Sequence, residues 1–574
     1  MSGAITRVNG PVVEAHRLPG LAMGEVVALG AARITAETIA IDGESAVLQA
    51  YEYTGGVAVG DTADPQAEPL SGLLGPGLLA NAYDGLLRPL SGAPQWLRPD
   101  RPGSTQDPSI LDRRWRFVPS AIAGATVVAG DLLGTVPDSG AVEHRVLVPP
   151  GVSGVLEWIA AEGETPARDA VARIAGREVR LAEPWPLREP RPFAERLPDV
   201  VPLHTGQRVL DLLFPVAAGT AAAVPGGFGT GKTVALQQIA KWSDASVIVY
   251  VGCGERGNEM ADVLSGLAGL TDRHGSRLID RTVIVANTSN MPMMAREASI
   301  YTGLVIAEYY RDMGYDVIVI ADSTSRWAES LREFANRNGD LPAEEGYPAS
   351  LASALAAFYA RAARVRTLGG RTAAVTVIGA VSPPGGDMSE PVTTNTERFV
   401  RALWSLDRDL AYARHYPAVS WRGSFARDVD EIGRWHAAND DPRWSERRTR
   451  ALGVLAEADR LAGLAEVIGA SALPGRERMT LLGGRLLREG VLTQSALEAN
   501  DASSSSAKSA ALLGFALDTI DECQRLVAAG VAATTLEQWD FSPLLRARNE
   551  FAPDDAAGLD ARRDAFLAEL RQAS

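Results

Sequence analysis

At 574 residues the chain is too long for a single hydrophobic core, so three or four domains are expected. Its 46% hydrophobic and 22% charged residues are typical of a globular protein in water. The net charge of −15 argues against nucleic acid as the main ligand, because neutralising phosphates requires a basic surface. Cys253 and Cys523 are far apart in the sequence, which favours a reducing compartment over a disulfide framework. Neither a signal peptide nor a membrane-spanning stretch is predicted.

The N-terminal third has the pattern of β-structure. Residues 1–70 consist of short runs of apolar and polar residues separated by Gly and Asp, which predicts a small β-barrel. Residues 71–110 contain several Gly and Pro residues and are interpreted as a connector. Short apolar runs resume from about residue 91, and residues 111–190 are predicted to form an inserted β-rich domain.

The pattern then changes to alternating strands and helices over residues 191–425. Such alternation predicts a parallel sheet covered by helices, with ligands bound at the carboxyl ends of the strands. The predicted strands are residues 220–224, 246–251, 282–287, 316–321 and 372–380. Residues 426–574 are predicted to form an all-helical domain, in which residues 501–509 (DASSSSAKS) are expected to be a flexible polar loop without chemistry.

Residues 224–233 (VPGGFGTGKT) contain the complete phosphate-loop pattern between a predicted strand and a predicted helix. In this setting backbone N–H groups and the helix dipole point at one spot and bind a triphosphate. Lys232 would reach the outer phosphates, and the Thr233 hydroxyl would ligate Mg²⁺. The predicted nucleotide-binding residues of the loop are Gly226, Gly227, Phe228, Gly229, Thr230, Gly231, Lys232 and Thr233.

Two carboxylates follow other strands of the same predicted sheet. Glu255 is placed to orient a water for attack on the γ-phosphate, although a solvated loop acid or an ion pair with Arg256 fits its position equally well. Asp322 follows a run of β-branched residues at the Walker B position, where an aspartate holds the magnesium shell. Arg256 and Arg326 are either phosphate-side charges or members of structural ion pairs.

The loop of residues 382–391 (SPPGGDMSEP) follows the last predicted strand and is expected at the same sheet edge as the other ligand loops. Tyr416 has two interpretations from position alone, which are stacking on a nucleotide base and ordinary packing beside Pro417.

Several longer strings together resemble the catalytic A subunit of V/A-type rotary ATPases along nearly the whole chain. They include RVNGPVV (7–13), PLHTGQRVLDLLFP (202–215), GCGERGNEM (252–260) and ANTSNMPMMAREASIYTG (286–303). The β-rich residues 91–180 resemble the insertion that distinguishes these subunits from their non-catalytic B partners. The resemblance implies a multidomain α/β protein with an N-terminal β-barrel, an inserted bulge domain, a RecA-like P-loop core and a C-terminal α-helical domain.

The resemblance also implies roles and cofactors. The cofactors would be ATP or ADP and Mg²⁺, with Glu255 as the general base, Arg256 beside it, and Asp322 as the Walker B acid. Tyr416 matches the aromatic residue that packs on adenine. The family's second adenine-side aromatic would fall near Leu497, where this chain has no ring.

The implied assembly is an alternating ring of three A and three B subunits with a central rotor, peripheral stalks and a membrane sector passing H⁺ or Na⁺. The chain would be a peripheral subunit on the cytoplasmic face, receive an arginine from a B subunit, and bind no nucleic acid. Three alternatives are a nucleic-acid translocase, which needs a basic channel; a secretion ATPase, which lacks the long β insertion; and a B-type partner, which binds nucleotide without turnover.

Overall fold

The computed structural model describes residues 2–90, 108–137, 140–272 and 275–572. Residues 91–107 lie outside this range, and they include part of the predicted connector and the start of the second β-rich segment. The described residues form four structural regions that follow one another along the chain.

The N-terminal region forms a closed six-stranded antiparallel barrel with strand order β1-β2-β5-β4-β3-β6. Alternate side chains such as Val13, Leu29 and Leu48 are fully buried inside it, as a period of two residues predicts. The strands are β1 (Gly3–Asn9), β2 (Val12–His16), β3 (Glu25–Leu29), β4 (Ile34–Asp42), β5 (Ser45–Ala50) and β6 (Thr62–Pro69).

The segment predicted to be a connector contributes to structure on both sides. It contains β7 (Ser71–Leu74) and β8 (Ala82–Tyr83), and β8 is an edge strand of the large, mainly parallel sheet of the next region but one. Buried Arg88 donates to Asp84 Oδ2 at 2.6 Å and to Glu52 Oε1 at 2.5 Å, which joins the connector to the end of the barrel region. The segment therefore both links the barrel to the following regions and adds an edge strand to the large sheet.

The inserted region contains two four-stranded sheets, ordered β10-β13-β15-β16 and β12-β11-β9-β14, while β17 pairs with β7. Phe117, Leu133 and Val171 are fully buried in its own core. Its elements are α1 (Pro108–Leu111), β9 (Arg114–Pro119), β10 (Thr126–Val127), β11 (Leu132–Val136), β12 (His144–Leu147), β13 (Gly154–Ile159), β14 (Gly163–Pro166), β15 (Ala170–Ile174), β16 (Arg177–Arg180) and β17 (Glu183–Pro186).

The core is a ten-stranded sheet. Eight of its strands follow the order β28-β27-β21-β26-β24-β22-β23-β8, and β25 branches from β26 and pairs in turn with β18. Strands β21 to β24 and β26 are parallel neighbours within it. The five predicted strands are confirmed, each within two residues of its predicted ends. The strands of this region are β18 (Glu195–Arg196), β19 (Pro202–Leu203), β20 (Val216–Ala217), β21 (Ala221–Pro225), β22 (Val247–Cys253), β23 (Thr282–Asn287), β24 (Val317–Asp322), β25 (Ala363–Arg366), β26 (Thr372–Val381), β27 (Ala402–Leu403) and β28 (Phe425–Ala426). Its helices are α2 (Arg208–Leu213), α3 (Lys232–Trp242), α4 (Gly257–Gly269), α5 (Met293–Asp312), α6 (Thr324–Asn338), α7 (Leu351–Tyr359), α8 (Pro391–Phe399) and α9 (Arg408–Tyr412).

The C-terminal region is helical, as predicted, and its apolar core is continuous with one face of the sheet. Leu455 and Phe515 belong to the same buried cluster as Leu236 and Ile239 of α3. No helix in the described ranges has the length and apolarity needed to cross a membrane. The helices are α10 (Val429–Asn439), α11 (Trp444–Ile468), α12 (Gly475–Leu487), α13 (Ser506–Ala528), α14 (Ala533–Glu537), α15 (Ser542–Leu545), α16 (Ala547–Glu550) and α17 (Ala556–Gln572).

Segment 501–509 was predicted to be a flexible loop, but it is largely buried and hydrogen-bonded, and its last four residues begin α13, so that prediction was wrong. Asp501 is fully buried and accepts from Arg208 Nη2 at 2.6 Å and from Arg548 Nη1. Lys508 is also buried, and its ammonium donates to the carbonyl oxygens of Asn500, Arg548 and Phe551 at 2.6, 2.9 and 2.9 Å. The polar composition predicted a flexible loop, but both side chains have partners outside the segment, and Asp501 joins Arg208 of α2 to Arg548 of α16.

This ion pair gives a stability prediction. Asp501→Asn leaves the buried Arg208 charge without its compensating carboxylate, which costs about 3–5 kcal/mol in the free energy of unfolding. Asp521→Asn is the matched control, because its pair with Arg450 is partly exposed and contributes about 0–1 kcal/mol. Urea unfolding of the full chain measures both. Equal, small losses in the two variants would contradict the structural role of Asp501.

Candidate active site

The phosphate loop lies between β21 and α3 and leaves the start of the helix open. Gly231 has φ = +84°, a left-handed conformation that a side chain disfavours, and a Cβ there would lie 3.3 Å from Tyr416 Cε1. The Thr230 hydroxyl donates to the Gly227 carbonyl at 2.8 Å and braces the loop. No side chain caps the first N–H groups of α3, so they are available to an anion.

The predicted loop residues differ in how much of the side chain is accessible. Thr230 is buried, Thr233 is exposed in the first turn of α3, and the Phe228 ring is fully exposed at the loop tip. A Cβ on Gly227 would lie 3.7 Å from Gly386 Cα, within the loop of residues 382–391. The structure therefore brings that loop to the phosphate loop, as its position after β26 predicted.

Lys232 places its ammonium inside this turn. Its Nζ donates to the carbonyl oxygens of Gly226 at 3.3 Å and Val381 at 3.1 Å, and to the Ser382 hydroxyl. Burial lowers the pKa of Lys232, and the carboxylates of Asp322 and Glu255 oppose that shift. Phosphate oxygens of a bound nucleotide would compete with these three oxygens for the Lys232 ammonium. Ser382 was not identified from the sequence as a partner of Lys232.

Asp322 is the last residue of β24 and is only 5% exposed. The Tyr250 hydroxyl donates to its Oδ2 at 2.9 Å. Burial raises the pKa of Asp322, whereas Lys232 and the Tyr250 hydrogen bond lower it. Tyr250 was missed from the sequence; its only signal was a hydroxyl within the apolar run of β22.

The donor set fits magnesium that arrives with a nucleotide. Mg²⁺ usually takes one or two protein oxygens and completes its shell with phosphates and waters. The site offers the Asp322 carboxylate and the Thr233 hydroxyl at one end of the sheet. Among the described residues no group of three or more His, Cys, Asp or Glu side chains is arranged to hold a metal without such help.

Glu255 follows β22 and is partly buried. Burial raises its pKa to about 7, and the charge of Asp322 and a hydrogen bond with Glu259 add to the shift, while Arg326 opposes it. The preceding Gly254 has φ = +77°, and a Cβ there would lie 2.8 Å from Arg326 Cβ, so the close approach requires glycine. A carboxylate that titrates near neutral pH is suited to accept a proton from water.

The two candidate arginines are placed differently. Arg256 is exposed at the start of α4 and forms no ion pair with any residue in the described ranges, so the alternative of a Glu255–Arg256 pair is not observed. Arg326 pairs with Glu329 one helical turn away, at 3.0 Å.

Tyr416 lies beside the phosphate loop and is 42% exposed, with its ring edge close to Gly231. Its carbonyl accepts from the Gln494 N–H at 2.8 Å, which connects it to the C-terminal helical region. Leu497, at the position where the resemblance places a second aromatic, is 95% exposed.

Four family models match the chain in the order of its structural regions. They are the ATP synthase alpha/beta family beta-barrel domain (residues 5–65), the ATP synthase alpha/beta subunit barrel-sandwich domain (109–188), the ATP synthase alpha/beta family nucleotide-binding domain (206–426) and the C-terminal domain of V and A type ATP synthase (433–535). A solved structure, the assembled ATPase EscN of the enteropathogenic E. coli type III secretion system, has a TM-score of 0.64. It is 21% identical and covers 90% of this chain and 99% of its own, so this likeness concerns the fold alone.

Curated relatives match at much higher identity. The V-type ATP synthase alpha chain of Nitrosococcus oceani is 48% identical over 93% of this chain and 92% of its own length. The corresponding A subunits of A-type ATP synthases are 46% identical in Thermococcus sibiricus, over 92% of both chains, and 43% identical in Hyperthermus butylicus, over 100% of this chain and 98% of that one. The chain therefore belongs to the family of catalytic A (alpha) subunits of V-type and A-type ATP synthases.

Proposed function

We propose that the site at the carboxyl edge of the sheet binds Mg·ATP or Mg·ADP and is the catalytic site through which this chain makes or hydrolyses ATP. The observation that carries this proposal is the convergence of three strand ends. The phosphate loop follows β21, Glu255 follows β22, and Asp322 ends β24, and the pKa of Lys232 responds to both carboxylates. Membership of the ATP synthase family supports the same assignment.

Each residue then has a role in phosphoryl transfer. The backbone N–H groups from Gly226 to Thr233 hold the phosphates, and Lys232 exchanges its present oxygen partners for the β- and γ-phosphate oxygens. Thr233 and Asp322 hold Mg²⁺, the latter through water; the ion neutralises charge on the phosphates. Glu255 orients the attacking water and accepts its proton, because burial keeps the pKa of that carboxyl high enough to do so.

Other groups bind the base and complete the site from neighbouring chains. Tyr416 packs on one face of the adenine, and Leu497 supplies no second ring. Arg256, which has no ion pair in the described ranges, is free to approach the transferred phosphate or a neighbouring chain. Non-catalytic B subunits alternate with this chain in a ring of three each, and a B-chain arginine completes the site, which is worth several orders of magnitude in rate.

The assembly couples the reaction to ion passage through a membrane. Central rotor and peripheral stalk subunits connect the ring to a membrane sector that passes H⁺ or Na⁺, and the chain lies on the cytoplasmic face. The translocase alternative requires a basic single-strand channel, which the charge of −15 does not favour. The secretion ATPase alternative is disfavoured by the inserted β domain together with identities of 43–48% to ATP synthase subunits.

The role of Glu255 is tested by Glu255→Gln in the complex purified from its own membranes through a tag on this chain. Turnover should fall at least about 10²-fold, the usual contribution of a positioned base, while nucleotide binding persists. Asp262→Asn, on the exposed side of α4, is the control and should behave as wild type.

Two results would count against the proposal. Unchanged turnover in Glu255→Gln would remove its catalytic role. Recovery of the wild-type chain alone, or with RNA, instead of with a B-like partner and stalk subunits, would remove the proposed assembly.

The raised pKa of Glu255 predicts a pH dependence. Because water activation needs the ionised carboxylate, kcat/KM should fall as the pH drops through about 7. Glu259→Gln removes a hydrogen bond and a charge that raise this pKa, so the acid limb should move to lower pH. The substrate is the same in both proteins, so its own ionisation cancels in the comparison. An acid limb that stays in place would show that Glu259 does not act on Glu255.

A further inference from the structure

Tyr250 is a buried hydroxyl that the roles assigned above do not use. It lies in the middle of β22 and is fully buried. Parallel pairing aligns Tyr250 with Ile320 and Gly252 with Asp322, so strand alternation puts Tyr250 and Asp322 on the same face of the sheet, two residues apart in register. The hydroxyl spans that offset and donates to Asp322 Oδ2 at 2.9 Å.

Neighbouring residues leave space for the Tyr250–Asp322 hydrogen bond and cover it. Gly252 carries no side chain between the two residues, and a Cβ there would lie 1.9 Å from Met260 Cε, so Met260 of α4 covers the position. The Tyr250 ring itself belongs to the apolar cluster beneath α3. Its hydroxyl is thus held by packing and presented to a single carboxylate oxygen.

The Asp322 carboxylate needs a hydrogen bond like the one from Tyr250 if its plane is to have a single orientation. The terminal torsion of Asp is broad, so the rotamer alone does not fix the plane of the carboxylate. A phenol ordinarily ionises near pH 10, so at neutral pH the hydroxyl is a proton donor. Asp322 Oδ2 accepts from the Tyr250 hydroxyl, and no side chain in the described ranges donates a hydrogen bond to Oδ1, so Oδ1 is left for another partner.

We propose that Tyr250 is a positioning residue, which fixes the Asp322 carboxylate so that Oδ1 faces the magnesium shell. The inference rests on the proposed role of Asp322 and adds a residue that acts through it. Outer-shell partners of this kind orient the groups that hold a metal, and their loss typically weakens metal affinity by about 10–100-fold.

The test removes one oxygen atom and keeps the ring. Tyr250→Phe in the full complex should weaken Mn²⁺ binding at ADP-loaded sites by about 10-fold or more, measured by electron paramagnetic resonance of bound Mn²⁺. Metal-free ADP binding should not change, and it counts the folded sites, so loss of assembly cannot imitate the effect. Tyr310→Phe is the control, because that ring is equally buried but packs on the opposite face of the sheet.

A double-mutant cycle distinguishes the positioning role of Tyr250 from the metal-binding role of Asp322. If Tyr250 acts through Asp322, Tyr250→Phe should weaken Mn²⁺ binding no further in an Asp322→Asn background. Wild-type Mn²⁺ affinity in Tyr250→Phe, with a loss in Asp322→Asn, would overturn the inference and leave the Asp322 role intact. Wild-type affinity in Asp322→Asn would overturn both.

Discussion

The attraction between Lys232 and the two carboxylates near it is the interaction on which the site depends. Burial disfavours the charge on all three groups. The attraction between Lys232 and the carboxylates offsets part of that cost, whereas the charge of Asp322 adds to the raised pKa of Glu255. In the nucleotide-free chain the ammonium is satisfied by two carbonyls and the Ser382 hydroxyl. In the proposed function, a nucleotide would bring new negative charge to the ammonium, and its metal would bring positive charge to the carboxylates. The charges of these three side chains therefore suit a metal–nucleotide pair better than either alone.

The rest of the fold holds these charges in place. Parallel pairing of β21, β26, β24 and β22 brings their carboxyl ends to one edge, so residues far apart in the sequence share one site. The C-terminal helices are connected to that edge by hydrogen bonds. Gln494 donates its N–H to the Tyr416 carbonyl, and its side chain accepts from the Arg208 N–H at 2.8 Å and donates to the Gly206 carbonyl at 2.8 Å. Together with the Arg208–Asp501 pair, these contacts join Tyr416 and the start of α2 to the helical region.

Local signals predicted much of this arrangement. The strand–loop–helix context of the phosphate loop, the acid after β22, the acid at the end of β24 and the order of the four regions all follow from patterns that short stretches of sequence carry. What failed depended on long-range pairing. Segment 501–509 has the composition of a flexible loop, yet Asp501 is buried in an ion pair with Arg208, which lies almost 300 residues earlier. Likewise, Tyr250 meets Asp322 and Lys232 meets Ser382 only because the sheet sets the register of strands that are distant in sequence.

The most direct measurement is a cryo-electron microscopy structure of the purified complex with Mg²⁺, ADP and aluminium fluoride bound at this chain. The account predicts that Lys232 Nζ leaves Val381 and Ser382 for the phosphate oxygens, that Mg²⁺ lies between Thr233 and the Asp322 carboxylate, and that Glu255 faces the attacking position. The Tyr416 ring should lie against the adenine. A nucleotide bound away from the phosphate loop, or a Lys232 that keeps its present partners beside a bound phosphate mimic, would contradict it.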